Sequence, residues 1–244
     1  MSKIVVIGAG AMGTAFAVPC LDNNHDINII GTHLENDFID QIKTNKRLHP
    51  GLNTTVPEGI NLAKFETFSS ILNSNVELIV LGISSKGVEW VANQLSQVYK
   101  DKKIPYLLML TKGLSIHNNK YELLVDKLER LLKEKGIKEV SISAVGGPCL
   151  ATGLANKVHS SVVIANKEIL VAKKIASMLK TNYYHTSYSD DLNGVEVSAA
   201  IKNIFSMAVG AAKGLCSNNI SEEVREKNYL NTASALIKQS VQEM

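Results

Sequence analysis

The sequence begins with a short β-branched run that leads directly into a glycine-rich turn. Residues 4–7 read Ile-Val-Val-Ile, residues 8–13 read Gly-Ala-Gly-Ala-Met-Gly, and a helical pattern follows over residues 14–21. In the pattern G-x-G-x-x-G, the first glycine permits a tight turn, the second lets the backbone approach a pyrophosphate, and the third lets helix and strand pack closely. These glycines are Gly8, Gly10 and Gly13. The motif therefore predicts a dinucleotide site at the N-terminal end of the first helix.

Short apolar runs recur through the first 190 residues, and amphipathic stretches separate them. Continuous apolar strands that alternate with helical patterns are typical of a parallel sheet covered on both faces. The expected strands are residues 4–7, 27–30, 77–83, 105–110, 140–145 and 161–165. The expected helices are residues 14–21, 37–44, 87–99, 124–132 and 167–179. We therefore expect an α/β fold of Rossmann type, with a doubly wound, mostly parallel sheet.

The composition changes near residue 189. Residues 190–215 form an alanine-rich helical pattern that is apolar on almost every side, and a second helical stretch starts at Ser221, after a polar break at Asn218 and Asn219. A helix that is apolar all round is expected to be buried. We therefore expect a dinucleotide-binding domain over residues 1–189 and a partial, all-helical substrate and catalytic domain over residues 190–244, which is short for an independent domain.

The charge and the cysteines exclude several classes of protein. The chain has 26 Lys+Arg and 23 Asp+Glu, and a net charge of +3 is too weak to indicate binding to nucleic acid or to anionic lipid. Its three cysteines, Cys20, Cys149 and Cys216, are too widely spaced for a disulfide framework or a metal site. The most apolar window contains Glu196 and Lys202, so we expect no membrane insertion. We expect a cytoplasmic protein without a bound metal.

Several polar residues follow the ends of predicted strands, where ligands bind in open parallel sheets. The position that reads the ribose falls near Thr32 and His33. An acid there favours NAD, but Glu35 lies slightly too far along the chain, so both NAD and NADP stay open. Lys112 follows the strand at residues 105–110 and points at the expected crevice, although a surface lysine is an equal alternative.

Two further places stand out by their residue types. The Gly-Gly-Pro-Cys run at residues 146–149 lets backbone amides approach a ligand, although a plain Gly-Pro turn gives the same pattern. Lys202 shares the apolar segment 195–212 with one other charge, Glu196. A buried ammonium is costly unless it is paired or used in chemistry, so we expect Lys202 to be functional. The alternative is a lysine whose stem reaches out to solvent.

The chain resembles the NAD(P)-dependent glycerol-3-phosphate dehydrogenase family in a series of motifs that occur in the family's order. These motifs are GAGAMGTAFA at 8–17, NKRLHPG at 45–51, LGIS at 81–84, TKGL at 111–114, GGPCLA at 146–151, GVEVSAAIKNIFSMAVG at 194–210 and NTASALIKQSVQEM at 231–244. The resemblance implies reversible hydride transfer between NAD(P)H and dihydroxyacetone phosphate. The product, sn-glycerol 3-phosphate, belongs to glycerophospholipid and carbohydrate metabolism. The resemblance is also consistent with a homodimer.

The resemblance carries site residues onto matching positions. Together with the glycine motif, it implies cofactor contacts by Gly8, Gly10, Ala11, Met12, Gly13, Thr32, Ser84, Lys112 and Ala151. The implied substrate-binding residues are Lys112, Gly147, Cys149 and Asn203. Lys202 is the implied catalytic acid and base, and Lys112 supplies positive charge to the substrate oxygen.

The sequence departs from the family pattern in three respects. Met12 replaces an aromatic residue, and Cys149 stands where the family has Ser or Thr. The family also continues with a Gly-Leu-Gly-Asp-Leu segment and a substrate-binding Arg-Asn pair, and neither occurs in this sequence. We therefore expect either a chain truncated in the helical domain or a naturally shortened relative. Two alternatives therefore remain: a carbonyl reductase related to ketopantoate reductase, and a dinucleotide-binding module without turnover.

Overall fold

The computed structural model describes residues 1–215 and 222–244. The strands are β1 (Lys3–Ile7), β2 (Asp26–Ile30), β3 (Leu48–His49), β4 (Thr54–Thr55), β5 (Ile60–Ala63), β6 (Leu78–Leu81), β7 (Tyr106–Met109), β8 (Leu114–His117), β9 (Lys120–Leu123), β10 (Ile142–Gly146), β11 (Ser160–Ala165) and β12 (Tyr184–Ser189). The helices are α1 (Ala11–Asp22), α2 (Asn36–Thr44), α3 (Phe68–Leu72), α4 (Val88–Tyr99), α5 (Leu124–Glu134), α6 (Ala151–Ala155), α7 (Ile169–Leu179), α8 (Leu192–Leu215) and α9 (Glu222–Glu243). The interpretations made for Cys216, Asn218, Asn219 and Ser221 fall outside the described residues.

The main sheet has the strand order β12-β11-β10-β7-β6-β1-β2-β5. Six neighbouring strands of this sheet are parallel to one another: β5, β2, β1, β6, β7 and β10. Their order across the sheet corresponds to the 3-2-1-4-5-6 arrangement of a dinucleotide-binding fold. β11 runs antiparallel to β10, and β12 runs parallel to β11 at the edge. The predicted Rossmann-type sheet is confirmed. The chain changes direction across the sheet between β1 and β6, which places a ligand crevice at their carboxyl ends.

β1 is buried on both faces because helices cover both sides of the sheet. Ile4 and Val6 pack in the same apolar cluster as Phe16 of α1, on one face. Val5 and Ile7 point to the other face, where they join the cluster that contains residues of α4. Complete burial of such a side chain contributes about 1.5–3 kcal/mol. The continuous apolar run at the N-terminus therefore fixes β1 in the centre of the sheet.

Several elements have no counterpart in the prediction. β12 reads Tyr-His-Thr-Ser-Tyr-Ser, and its polar alternation reflects its position at the sheet edge. The hairpin of β8 and β9 turns at Asn118 and Asn119, which both have positive φ angles, of 50° and 59°. Asparagine tolerates this backbone region, which two-residue hairpin turns require. The short strands β3, β4 and β5 and the short helices α3 and α6 are also additional.

The chain divides into two compact units, residues 1–196 and 197–244. The first unit therefore extends seven residues beyond the boundary expected at residue 189. The start of α8 belongs to this unit because Leu192 is buried in its core and Val195 packs against it. In the second unit, Ser198 Oγ donates to the Met244 carbonyl oxygen (3.3 Å), so the rest of α8 and α9 run antiparallel.

The expectation that α8 is buried is wrong for the described residues. Large apolar side chains of both helices of the second unit are more than one third exposed, including Val197, Ile204, Met207, Leu230 and Val241. Two packed helices cover only the faces that touch each other, so α9 cannot bury a helix that is apolar on every side. By length and composition alone, α8 is long and apolar enough to cross a membrane, and a single such helix is weak evidence for a span.

Candidate functional site

The glycine turn connects β1 to α1 and leaves one side open. Gly8 has a φ of 103°, and a Cβ there would lie 2.6 Å from the Gly82 carbonyl oxygen. A Cβ at Gly13 would lie 2.5 Å from the Gly8 carbonyl oxygen, so α1 presses directly against the turn. A Cβ at Gly10, in contrast, would have no described atom within 4 Å beyond its chain neighbours. This open side, next to the amides that begin α1, fits a pyrophosphate.

A buried histidine supports the turn from the outside. His49, which is 1% exposed, accepts a hydrogen bond from the Gly51 amide at Nδ1 (3.1 Å). Its Nε2 donates to the Ala9 carbonyl oxygen (3.0 Å), in the middle of the glycine motif. The hairpin of β3 and β4 is thereby attached to the turn. His49 has no signal in the sequence, because it lies 40 positions along the chain from Ala9 and no local pattern indicates their contact.

A second unpredicted residue lies where the ribose position was expected. The Oε2 atom of Glu35 accepts hydrogen bonds from the Thr32 amide (2.7 Å) and from the Ala9 amide (3.2 Å). Glu35 lies further along the chain than the expected ribose position, but its side chain folds back across the ends of β1 and β2. Thr32 supplies a backbone donor at this place.

The remaining predicted cofactor residues lie at the starts of helical turns around the same edge. Ser84 follows β6 and precedes the 3₁₀ turn Ser85–Gly87. Ala151 is the first residue of α6, which packs against α1. His33 faces Trp90, with 5.1 Å between the ring centroids. Ser84, Ala151 and His33 all follow the carboxyl ends of parallel strands of the main sheet.

A small cleft brings four of the predicted residues together. Met12, Lys112, Gly147 and Cys149 line it, and the other lining residues are Phe16, Leu110, Val145, Gly146, Val162 and Tyr184. Of the described residues that line the cleft, Lys112 alone carries a charge. An apolar cleft with one cation suits a small anionic ligand.

Gly147 and Cys149 shape the floor of this cleft. Gly147 has a φ of 139°, and a Cβ there would lie 2.6 Å from the Ser161 carbonyl oxygen, so a larger residue does not fit. Burial raises the pKa of the Cys149 thiol, and a hydrogen bond with Ser160 and the charge of Lys112 oppose this shift. The thiol is therefore neutral near pH 7, which favours a lining role over a nucleophilic one.

The other two predicted residues lie in the second unit. Lys202 and Asn203 are both exposed on α8. The burial on which the argument for Lys202 depends is therefore not found, because α9 covers only part of α8. Among residues 1–215 and 222–244, no group of three or more His, Cys, Asp or Glu side chains could hold a metal ion.

Comparison with known proteins gives consistent results. The family described as "NAD-dependent glycerol-3-phosphate dehydrogenase N-terminus" matches residues 3–172. The NADP(+)-dependent glycerol-3-phosphate dehydrogenase of Archaeoglobus fulgidus is 28% identical over 94% of this chain and 66% of its own length. The glycerol-3-phosphate dehydrogenase [NAD(P)+] of Bacillus cytotoxicus is 30% identical over 88% of this chain and 60% of its own length. The chain thus spans about 60–66% of these relatives.

Solved structures show the same fold. The crystal structure of the glycerol-3-phosphate dehydrogenase from Coxiella burnetii has a TM-score of 0.74 at 22% identity, covering 99% of this chain and 67% of that protein. The Plasmodium falciparum glycerol-3-phosphate dehydrogenase has a TM-score of 0.77 at 18% identity, covering 99% and 64%. Since the family match covers more than half of its residues, this chain belongs to the NAD-dependent glycerol-3-phosphate dehydrogenase family.

Proposed function

We propose that this chain binds NAD or NADP at its glycine turn and catalyses reversible hydride transfer between the cofactor and dihydroxyacetone phosphate. The observation that carries the proposal is the cleft in which Met12, at the start of α1, meets Lys112, Gly147 and Cys149 at the ends of neighbouring strands. The open side at Gly10 fits the cofactor pyrophosphate. Family membership and the names of the relatives support the substrate.

The residues of the cleft each have a role in this proposed reaction. The bound cofactor supplies or accepts a hydride at its nicotinamide ring. Lys112 provides a positive charge for the carbonyl oxygen or the phosphate of the substrate, and its effect increases in the apolar surroundings. Gly147 exposes backbone to the substrate, and Cys149 lines the same wall.

Lys202 and Asn203 are assigned to the reaction because they match the family motif. In reduction, the Lys202 ammonium donates a proton to the alkoxide that forms at the substrate C2 oxygen, and in oxidation the amine accepts it. Asn203 donates to a substrate oxygen. In this proposal, residues 1–189 bind the cofactor and residues 190–244 transfer the proton.

The setting of the reaction is part of the same proposal. The sn-glycerol 3-phosphate formed is a precursor of glycerophospholipids. We propose a cytoplasmic homodimer that does not insert into membranes and does not bind nucleic acid. A net charge of +3 supports the last point.

The test is NADH and NADPH oxidation at 340 nm with dihydroxyacetone phosphate or ketopantoate as the substrate. The proposal predicts oxidation that depends on dihydroxyacetone phosphate and decreases strongly in Lys112→Met. Turnover of ketopantoate alone would contradict it in favour of the second reductase class. Tight cofactor binding without oxidation of either cofactor would contradict it in favour of a non-catalytic module.

A further inference from the structure

Thr111 joins two loops at the carboxyl end of the main sheet. Its Oγ1 atom donates a hydrogen bond to the Ile83 carbonyl oxygen (2.6 Å), so it connects the chain that leaves β7 to the chain that leaves β6. The next residue is Lys112, the lysine that lines the cleft. We propose that Thr111 is a positioning residue that fixes Lys112 relative to the bound cofactor. Because Lys112 has its role in the proposed reaction, this assignment rests on the proposed function.

The Thr111 hydroxyl extends the pairing of two strands. β6 and β7 are parallel neighbours, and the last residues that they pair are Leu81 and Met109. Directly beyond them, the Leu110 amide still donates to the Leu81 carbonyl oxygen (3.1 Å). The side chain of Thr111 adds the next contact, two residues past the end of β6. The two strands are thereby held together up to the residue that precedes Lys112.

The loop that accepts this hydrogen bond is itself fixed on two sides. Ile83 packs against the apolar cluster that contains residues of β6 and α4. The preceding residue, Gly82, donates its amide to the Ile7 carbonyl oxygen at the end of β1 (2.8 Å). A Cβ at Gly82 would lie 2.9 Å from the Cα atom of Gly13, so this loop lies directly against the glycine turn. The Ile83 carbonyl oxygen is therefore fixed relative to the proposed pyrophosphate site.

The chain on the other side of Lys112 passes through a glycine. Gly113 has a φ of 137°, a backbone region that residues with a Cβ rarely adopt. Glycine allows more backbone conformations than any other residue, so it does not by itself hold Lys112 in one place. Thr111 is half-buried, and its hydrogen bond is only partly exposed to competing water. The position of the Lys112 side chain therefore depends on the Thr111 hydroxyl.

This position matters because hydride transfer needs an exact arrangement of two reactants. In the proposed reaction, the glycine turn binds the cofactor and Lys112 contacts an oxygen of the substrate. The Thr111 hydrogen bond links the loops that carry these two contacts. A misplacement of about 1 Å can lower a rate by about 10²-fold. Loss of the hydroxyl should therefore impair catalysis and leave cofactor binding intact.

The experiment combines Thr111→Val with Lys112→Met in a double-mutant cycle on the full 244-residue chain. Oxidation is followed at 340 nm with whichever of NADH and NADPH the unmodified chain oxidises faster. Thr111→Val alone should lower kcat/KM for dihydroxyacetone phosphate by about 10–100-fold and change the cofactor Kd by less than about threefold. In the Lys112→Met background, the same substitution should reduce kcat/KM by less than about threefold, because the group that it positions is already absent.

Thr111→Ser tests the hydroxyl itself, since it keeps the donor and removes only the methyl group. This variant should retain kcat/KM within about threefold of the unmodified chain. If thermal melting shows that Thr111→Val does not fold, Thr111→Ala takes its place with the same expected results.

Thr186→Val is the matched control. The Thr186 hydroxyl also donates to a backbone carbonyl oxygen, that of Ala176 (2.7 Å), but Thr186 lies on β12 at the edge of the sheet. Thr186→Val should lower the melting temperature about as much as Thr111→Val, because each variant leaves one carbonyl oxygen without its donor. Its kcat/KM should equal that of the unmodified chain.

Three results would overturn the inference while leaving the proposed function in place. The first is an unchanged kcat/KM in a folded Thr111→Val variant, and the second is a Thr111→Ser variant that is equally impaired. The third is a loss in the Lys112→Met background as large as the loss in the unmodified chain. If the unmodified chain oxidises neither cofactor with dihydroxyacetone phosphate, the proposed function is contradicted and the role of Thr111 with it.

Discussion

Gly10 and Gly13 belong to one motif, but their surroundings give them different roles. A Cβ at Gly10 meets open space, and a Cβ at Gly13 meets the Gly8 carbonyl oxygen at 2.5 Å. A side chain at position 10 would therefore occupy the space proposed for the pyrophosphate without disturbing the protein. A side chain at position 13 would instead force α1 away from β1.

The first prediction separates these roles. Gly10→Val should keep the thermal unfolding temperature close to that of the unmodified chain and abolish NADH binding. Gly13→Ala, its control, should destabilise the fold by about 1–3 kcal/mol because of overpacking. Fluorescence titration and thermal melting measure both effects. Tight NADH binding by Gly10→Val would contradict the assignment of the pyrophosphate site.

His49 leads to a second prediction at this scale. Its ring joins Gly51 to the Ala9 carbonyl oxygen in a buried place, so His49→Leu leaves that oxygen without its donor. We expect a loss of about 1–3 kcal/mol in stability and a weaker affinity for NADH. His25→Leu removes a histidine far from the glycine motif and should leave NADH binding unchanged. Equal NADH affinity in both variants would show that His49 does not support the turn.

Lys202 gives the third prediction, which concerns chemistry. Lys202→Met should lower kcat for dihydroxyacetone phosphate by about 10²–10⁴-fold, the usual contribution of a general acid. Binding of NADH should stay unchanged, because the cofactor is assigned to the first unit. Lys213→Met is the control, since Lys213 is an exposed lysine on the same helix. An unchanged kcat in Lys202→Met would refute the role of this residue.

The residues of the site differ in how well the sequence predicts them. Lys112 and Cys149 follow strands directly, so the rule for strand ends places them in one crevice, and the structure brings them into the same cleft. Glu35 and His49 act through side chains that reach another part of the chain. Spacing along the sequence contains no information about such contacts.

At the scale of elements, a buried carboxylate connects α8 to α5. Glu196 is 6% exposed, and its Oε2 atom accepts from the Val125 amide (3.4 Å) near the N-terminus of α5. The pKa of Glu196 is raised to about 7, mainly by burial; the Val125 hydrogen bond opposes this rise, and the negative charge of Asp126 adds to it. The folded protein therefore holds this proton at a pH where the unfolded chain has released it.

The fourth prediction follows from the sign of this shift. Because the pKa is higher in the folded state, the free energy of unfolding decreases as pH rises from about 4.5 to about 7 and then levels off. Glu196→Gln should remove this decrease and stabilise the protein by about 2–3 kcal/mol at pH 8. Glu58→Gln, at an exposed position, should leave the pH dependence intact. Denaturant titrations at pH 5 and pH 8 would refute the prediction if both variants behaved alike.

The elements of the sheet were predictable to different degrees. β1, β2, β6 and β7 are apolar on both faces, so their runs stand out in the sequence. β12 and the hairpin strands have polar side chains, since they lie at an edge or outside the main sheet. Their pairing depends on neighbours that are distant in sequence, and local patterns do not show these neighbours.

For the whole molecule, the apolar surface of α8 and α9 distinguishes the second unit from the first. The first unit contains both large apolar clusters, and the residues of the glycine turn and the cleft belong to it. The second unit exposes large apolar side chains over both helices. The sequence predicts helices here correctly but overestimates burial, because periodicity reveals the apolar faces of a helix and not the partners that cover them.

We propose that this chain transfers a hydride between a nicotinamide and the C2 carbon of dihydroxyacetone phosphate. The most direct test is a single-turnover experiment with NADH that carries deuterium on the reactive face of C4, with the protein in excess over the cofactor. We expect sn-glycerol 3-phosphate with one deuterium at C2, as detected by mass spectrometry, and a loss of this product in Lys202→Met. Bound NADH that transfers no deuterium to dihydroxyacetone phosphate would contradict this proposed activity.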